Sequence, residues 1–130
     1  MSSVPEHLRY TPDHEWTNDE AGRVTVGITT FAVEQLGDIT LVNVDVKVGD
    51  SIEAGKAFGT IESVKTLSDL FAPVSGKIIA VNADLESKPE LVNEDCYGKA
   101  WMIAIEAAPG STSALMDAGA YNAHLKASAH

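Results

Sequence analysis

The stretch that decides the fold is residues 58–77, which read FGTIESVKTLSDLFAPVSGK. A run rich in β-forming residues leads into a short polar segment, and a second run leads out to Pro73 and a Gly76-Lys77 turn. This pattern predicts a tight β-hairpin with Lys65 near its turn. A lysine there points into solvent from a stiff base, where another enzyme can reach it. Periodicity alone also allows a plainer interpretation, in which Lys65 is a solvated charge that protects a sheet edge.

Further short strands are predicted on both sides of this hairpin. Val24, Val26 and Ile28 alternate with small or polar residues, as expected for a strand with one buried face. The β-branched run at residues 39–48 changes phase, which predicts a bulge. About eight such strands, separated by turns roughly every six to twelve residues, favour a small all-β sandwich or barrel.

One helix interrupts the predicted strands. Residues 30–36 begin at Thr30 and follow Thr29, and either threonine can cap a helix at its start. Gly37 comes directly after the segment and can end the helix in a conformation that other residues disfavour. The segment is therefore predicted to be a short helix with both ends set by the local sequence.

Weaker patterns occupy the two ends of the chain. Residues 10–16 predict an edge strand interrupted by Pro12. Residues 84–91 predict one or two helical turns, and residues 93–95 a loop. A C-terminal helical segment is predicted at about residues 111–127, because apolar residues recur there at helical spacing, namely Leu115, Ala118, Tyr121 and Leu125.

Composition limits the class of protein. The chain has 130 residues, 45% of them apolar, one cysteine, and 19 acidic against nine basic residues, for a net charge of −10. We expect one domain over residues 1–130, with its core at about residues 8–107. The acidic balance argues against nucleic acid or a membrane as partner. The lone cysteine and the lack of an apolar or Arg-rich leader lead us to expect a cytoplasmic protein of bacterial type. We also expect a monomer.

Five blocks along the chain resemble, in order, the H-protein family of the glycine cleavage system. They cover roughly residues 8–125, and they stand at Arg9–Trp16, Val26–Thr29, Gln35–Ile39, Glu62–Gly76 and Pro89–Ile103. The chain departs from the family at Thr66 and Leu67, where small residues such as Ala are usual. It also has Cys96 where the family often has Pro. None of these departures changes Lys65 itself.

The resemblance implies a fold and an attachment site. The fold is a barrel-sandwich hybrid of two antiparallel sheets, like a lipoyl or biotinyl domain, with short peripheral helices and a C-terminal helical segment. Lys65 is implied to carry covalent lipoate as N6-lipoyllysine. Glu62, Ser63 and Val64 are implied to guide the lipoyl or octanoyl transferase, or the lipoate ligase, that attaches it. A structural role in the hairpin is the alternative for Glu62 and Ser63.

The resemblance also implies a carrier rather than an enzyme. Family members take an aminomethyl group from glycine decarboxylase (P protein) and deliver it to aminomethyltransferase (T protein). Dihydrolipoyl dehydrogenase (L protein) then reoxidises the arm. An H-like carrier that relays lipoyl groups to other lipoate-dependent complexes is the alternative within the same family.

A loaded arm needs a sheltered site with acceptors for its cationic amine. The resemblance implies that Glu15, Asp69 and Asp13 line such a site, with Glu15 as the first candidate. The alternative is that Glu15 and Asp69 are solvated surface acids. Under the docking hypothesis, Glu15→Gln shortens the life of the loaded arm and leaves its attachment unaffected.

Other classes of protein fit the sequence less well. Biotinyl domains usually place Met on both sides of the lysine, and acyltransferase lipoyl domains usually read Asp-Lys-Ala, whereas this chain has Val64 and Thr66. A thiol enzyme would use Cys96 with one of four histidines as base: His7, His14, His124 or His130. No local motif supports that chemistry. The same histidines and cysteine lack the spacing of metal ligands.

Overall fold

The computed structural model describes residues 4–108 and 110–128. These residues form nine strands and four helices. The strands are β1 (Arg9–Tyr10), β2 (Glu15–Glu20), β3 (Arg23–Ile28), β4 (Ile39–Val44), β5 (Ser51–Ile52), β6 (Ala57–Ser63), β7 (Leu67–Phe71), β8 (Gly76–Val81) and β9 (Ile103–Glu106). The helices are α1 (Thr30–Leu36), α2 (Asp84–Ser87), α3 (Leu91–Glu94) and α4 (Ala118–Ser128). None of these described helices combines the length and apolar character needed to cross a membrane.

The strands form two sheets in which neighbours pair antiparallel. One sheet has the order β1-β2-β3-β9-β8-β5, and the other has the order β4-β6-β7. The smaller sheet contains the predicted hairpin, with β6 at its centre between β4 and β7. The predicted architecture, mainly β with two antiparallel sheets, short helices and a C-terminal helix, is confirmed.

The main hydrophobic cluster joins the two sheets. Val24 and Val26 of β3 are fully buried, as their alternation predicted, and they share this cluster with Ile61 of β6 and Leu70 of β7. Burial of four such side chains contributes on the order of 1.5–3 kcal/mol each, before the entropy of ordering the chain is subtracted. The hairpin is thus anchored to the larger sheet through its apolar face.

A second cluster fixes the C-terminal helix. Tyr121 of α4 is fully buried and stacks on Tyr10 of β1, with ring centroids 4.6 Å apart. Trp16 and Leu8 belong to the same cluster. The helix therefore covers the β1–β2 edge of the larger sheet.

Local signals for α1 and for the bulge are confirmed. Thr29 is the N-cap, and its hydroxyl accepts a hydrogen bond from the Ala32 N–H, while Gly37 ends the helix with φ 81°. The register of β4 against β6 shifts between Ile39 and Leu41. The shift lets Ile39 point inward although the strict alternation would turn it outward, and Leu41 remains 45% exposed.

Other boundaries differ from the predictions. Residues 10–16 do not form one interrupted strand: β1 ends at Tyr10, and a turn in which the His14 N–H donates to the Thr11 carbonyl precedes β2. The strand predicted to extend to Val48 ends at Val44, since a turn closed by the Asp50 side chain follows.

Two further boundaries lie nearer the C-terminus. Asn93 lies in the short helix α3 rather than in a loop. The C-terminal helix begins at Ala118 instead of near residue 111, where turns continue to Leu115, and the end of the predicted segment falls within α4.

Glycines allow the paired strands to come close together. A Cβ added to Gly59 would lie 2.1 Å from the Asn43 carbonyl oxygen, and one added to Gly76 would lie 2.2 Å from the Glu106 carbonyl oxygen. Both glycines therefore serve backbone geometry.

Candidate functional site

The hairpin of β6 and β7 presents Lys65 in its four-residue turn. The Ser63 N–H donates to the Thr66 carbonyl at 2.8 Å, which closes the turn. The Ser63 hydroxyl oxygen accepts the N–H groups of both Lys65 and Thr66, each at 3.2 Å. A serine at the start of a turn satisfies backbone donors in this way. Lys65 itself is exposed, so its amine stands at the tip of a turn that is held from inside.

The three residues before Lys65 occupy different environments. Ser63 is buried within the turn, whereas Glu62 is exposed and Val64 is 66% exposed. Glu62 lies between Leu41 and Leu67 in the register of the small sheet. An approaching enzyme can therefore touch Glu62 and Val64 directly. Ser63 can act on such an enzyme only by shaping the turn.

The turn rests on the segment that links α1 to β4. The Val64 N–H donates to the Asp38 carbonyl at 3.0 Å. A Cβ built on Gly37 would lie 3.3 Å from Cε of Lys65 and 3.8 Å from its Nζ. The aliphatic part of the lysine thus lies over the bare backbone of Gly37. We call Gly37, Asp38 and Ile39 the ledge; sequence reasoning had identified Gly37 only as a helix end.

Glu15 is enclosed between the two sheets, so its interpretation as a solvated surface acid is wrong. Its side chain is 2% exposed. One carboxylate oxygen accepts the Thr11 hydroxyl at 2.8 Å, and the other accepts the N–H of Phe71, at the end of β7, at 3.1 Å. Burial raises the pKa of Glu15 to about 7, and the charge of nearby Asp13 adds to the rise. Glu15 therefore links β2 directly to the lysine hairpin.

Asp13 and Asp69, the other two predicted docking residues, are exposed. Asp69 lies on β7 opposite Thr60 of β6. Asp13 lies in the turn between β1 and β2, where its N–H donates to the Thr11 hydroxyl. The structure therefore places one enclosed carboxyl and two solvated carboxylates around this part of the molecule.

A partly buried polar network that the sequence did not reveal connects the N-terminal turn to α4. Nδ1 of His14 and the Tyr121 hydroxyl lie 2.8 Å apart, and the same hydroxyl lies 2.8 Å from Oγ1 of Thr29. Burial lowers the pKa of His14, and the proximity of His124 lowers it further. The only sequence signal was the helical spacing of Tyr121, which predicted burial and not these hydrogen bonds.

Cys96 does not have the surroundings of a nucleophile. Its side chain is buried, and burial raises the pKa of its thiol to about 11. A reactive cysteine needs a lowered pKa and access to solvent, so the structure argues against the thiol-enzyme alternative. Within residues 4–108 and 110–128, no group of three or more His, Cys, Asp or Glu side chains could hold a metal ion.

Comparison with known proteins decides among the remaining families. A family model described as glycine cleavage H-protein matches residues 8–128. The chain belongs to the glycine cleavage H-protein family. This result favours the family predicted from the sequence over the biotinyl domains and the acyltransferase lipoyl domains.

Individual H proteins agree with the family match over nearly their whole length. The glycine cleavage system H protein of Bacillus licheniformis is 50% identical over 125 residues, which are 95% of this chain and 98% of that protein. That of Magnetococcus marinus is 49% identical over 125 residues, covering 95% of this chain and 89% of that protein. The expected function, a lipoyl carrier of the glycine cleavage system, is confirmed at the level of the family.

A solved structure confirms the fold. The crystal structure of a glycine cleavage system H protein from Mycobacterium marinum has a TM-score of 0.84 and 34% sequence identity. It covers 98% of this chain and 100% of that chain. The predicted barrel-sandwich hybrid is therefore the fold of this H-protein family member.

Proposed function

We propose that Lys65 carries lipoate in amide linkage and that the chain acts as a covalent shuttle without catalytic residues of its own. The observation that carries this proposal is the placement of Lys65, exposed at the tip of a turn that Ser63 holds from within. A primary amine in this position fits the group, since an attaching enzyme can reach it. Amide formation also removes the lysine charge, which suits entry into an apolar tunnel of a partner.

The chain gives the lipoyl-lysine arm its length and holds the base of that arm in a fixed position. From Cα of Lys65 to the dithiolane ring of the bound arm is about eleven bonds, or roughly 14 Å. The anchoring of Ile61 and Leu70 in the core holds the base of the arm still, which raises its effective concentration at each partner. When bound, lipoate supplies a disulfide that can be reduced and can carry a one-carbon unit.

The proposed partners follow from the family. They are the glycine decarboxylase that supplies an aminomethyl group, the aminomethyltransferase that receives it, and the dihydrolipoyl dehydrogenase that restores the disulfide. The lipoyl or octanoyl transferase, or a lipoate ligase, is the fourth partner, and we propose that it recognises Glu62 and Val64 at the tip. We further propose a single cytoplasmic domain over residues 1–130.

We also propose that Glu15, with Asp13 and Asp69, receives the cationic amine of the loaded arm. Support comes from the electrostatics of Glu15, whose hydrogen-bond partners are two neutral groups, the Thr11 hydroxyl and the Phe71 N–H. Burial has raised its pKa to about 7. A cation placed nearby would favour the ionised carboxylate and would compensate the cost of its burial.

The attachment site is tested by intact mass spectrometry after incubation of the unmodified chain with lipoate ligase, lipoate and ATP. We expect one added lipoyl group on the wild type and none on Lys65→Arg. The matched control is Lys77→Arg, because Lys77 is also an exposed lysine on a strand, and this variant should be modified like the wild type. Modification of Lys65→Arg, or an unmodified wild type, would overturn the proposal.

A further inference from the structure

We propose that Asn93 is a positioning residue that holds the lysine hairpin in place through the ledge. This inference rests on the proposed function, because it assigns Asn93 a part in presenting Lys65 to the attaching enzyme. Asn93 lies on α3, 28 positions along the chain from Lys65, and its side chain hydrogen-bonds the ledge instead of the hairpin.

The side-chain amide of Asn93 forms hydrogen bonds with the ledge on both sides of Asp38, and we call this pair of hydrogen bonds the grip. Its Oδ1 accepts the Ile39 N–H at 2.9 Å, and its Nδ2 donates to the Gly37 carbonyl at 2.9 Å. One side chain thus uses a donor and an acceptor to fix two successive peptide groups. A side chain that lacks either function cannot hold both groups.

One peptide group transmits this grip to the hairpin. The N–H of Ile39 and the carbonyl of Asp38 belong to the same planar peptide. On one side this peptide donates to Asn93, and on the other it accepts the Val64 N–H at 3.0 Å. Hydrogen bonds arranged in series through one peptide strengthen one another. Asn93 therefore sets the orientation of the carbonyl that holds the residue next to Lys65.

The second half of the grip acts on Gly37, over which the lysine side chain lies. Gly37 has φ 81° and ψ −147°, a conformation essentially restricted to glycine. Its carbonyl is the one that Nδ2 of Asn93 holds. The tip thus contacts the ledge at two places: Val64 donates to the Asp38 carbonyl, and the Lys65 side chain lies over Gly37. Asn93 positions the backbone at both places.

Helix α3 is a firm base for this grip. Val92, the residue before Asn93, is fully buried in the main hydrophobic cluster, and Leu91 packs against the same cluster. The Asp95 N–H donates to the Leu91 carbonyl at 2.8 Å and closes the helical turn. The position of Asn93 is therefore set by the core, and the ledge takes its position from Asn93.

Loss of the grip should reduce the fraction of molecules whose tip is correctly placed. An enzyme that binds only that fraction shows a weaker apparent affinity, while the reaction of the bound complex is unchanged. We therefore expect a higher KM for the unmodified chain and an unchanged kcat. Loss of one net hydrogen bond lowers this equilibrium by a factor of about five, and loss of both bonds of Asn93 lowers it by up to about 25-fold, which is the upper limit of the rise in KM.

The test measures lipoate-ligase kinetics on the unmodified chain by intact mass, together with hydrogen exchange of the Val64 amide. Asn93→Leu should raise KM about five- to tenfold, leave kcat unchanged and speed exchange at Val64. Asn93→Asp keeps an acceptor for Ile39 but cannot donate to Gly37, so its effect should be intermediate. The control is Asn82→Leu, because Asn82 donates to the carbonyls of Lys99 and Trp101 and not to the ledge. This variant should keep the wild-type KM. Its Val64 exchange rate, measured relative to the exchange rates of interior amides, should also be unchanged.

Wild-type KM and wild-type Val64 exchange in both Asn93 variants would overturn the inference. If the Leu variant does not fold, the Asp variant decides the question. If the wild type is not modified at all, the proposed function fails, and Val64 exchange in the variants still decides whether Asn93 positions the tip.

Discussion

Glu15 shows how a single buried carboxyl makes the stability of the molecule depend on pH. Its pKa is raised from 4.5 to about 7, mainly by burial. The folded chain therefore keeps this proton at pH values where the unfolded chain has lost it. The stabilising contribution is fully present below the unfolded pKa and is lost as the pH rises through the folded pKa.

Replacement of Glu15 by Gln should remove this loss. Gln cannot ionise, and its carbonyl can still accept the Phe71 N–H while its amide faces the Thr11 hydroxyl. Relative to the wild type, we expect Glu15→Gln to gain about 2–3 kcal/mol in free energy of unfolding between about pH 5 and about pH 8. Urea titrations followed by tryptophan fluorescence at a series of pH values measure the difference.

Glu20→Gln is the control, because Glu20 ends the same strand and is exposed. It should change stability little, because its side chain faces solvent. His14, whose pKa is lowered, contributes stability that is lost as the pH falls below its ordinary value, and it does so equally in wild type and variant. Parallel stability curves for the wild type and Glu15→Gln would contradict the assignment.

Among the elements, helix α4 is held by one aromatic residue with a polar end. The ring of Tyr121 stacks on Tyr10, and its hydroxyl bridges His14 and Thr29. Tyr121→Phe keeps the stacked ring but removes the hydroxyl that contacts Nδ1 of His14 and Oγ1 of Thr29, and of these two atoms only Oγ1 of Thr29 keeps another partner that the structure describes, the Ala32 N–H. We expect a loss of about 1–3 kcal/mol in the free energy of unfolding, measured by chemical denaturation.

Tyr10→Phe is the matched control for this prediction. The Tyr10 hydroxyl donates to the carbonyl of Pro5, in the partly buried N-terminal segment. Its loss should cost less than the loss at Tyr121, although both rings remain stacked. If both variants were equally stable, the hydrogen bonds of Tyr121 would not be what fixes α4.

The elements also show which features a sequence can reveal. The cap at Thr29, the stop at Gly37 and the turn at Ser63 depend on groups within a few residues, so the local pattern predicted them. The bond from Phe71 to Glu15 spans 56 positions, and those from Asn93 to the ledge span 54 and 56. Sequence periodicity cannot predict hydrogen bonds between residues so far apart, because each of these side chains has the local pattern of an ordinary polar residue in a turn or at a strand end.

Side-chain hydrogen bonds and core packing account for two of the wrong predictions, the strand at residues 10–16 and the loop at residues 93–95. Pro12 correctly indicated an edge, but the polar groups of Thr11 fold residues 11–14 into a turn and split the expected strand. Asn93 resembled a loop residue because Asn favours turns. Its neighbour Val92 is buried in the core, and this long-range packing stabilises the short helix instead.

At the scale of the whole molecule, the net charge of −10 acts on stability and on association in opposite ways. Like charges repel one another within the folded chain, so screening by salt should stabilise it. The same charge attracts a basic partner surface over distances that salt reduces to about 10 Å at 0.1 M. A higher salt concentration should therefore raise the stability of the chain and slow its association with the proposed partners.

We expect that raising NaCl from about 50 to about 300 mM increases the thermal midpoint of the chain and lowers its association rate with glycine decarboxylase. Differential scanning fluorimetry and stopped-flow binding measure the two effects on the same samples. Glu53→Lys is a useful comparison, because Glu53 is exposed in a turn and the substitution makes the chain less acidic, so both salt effects should become smaller. An association rate that does not change with salt would show that the acidic surface has no part in recognising this partner, whatever happens to the thermal midpoint.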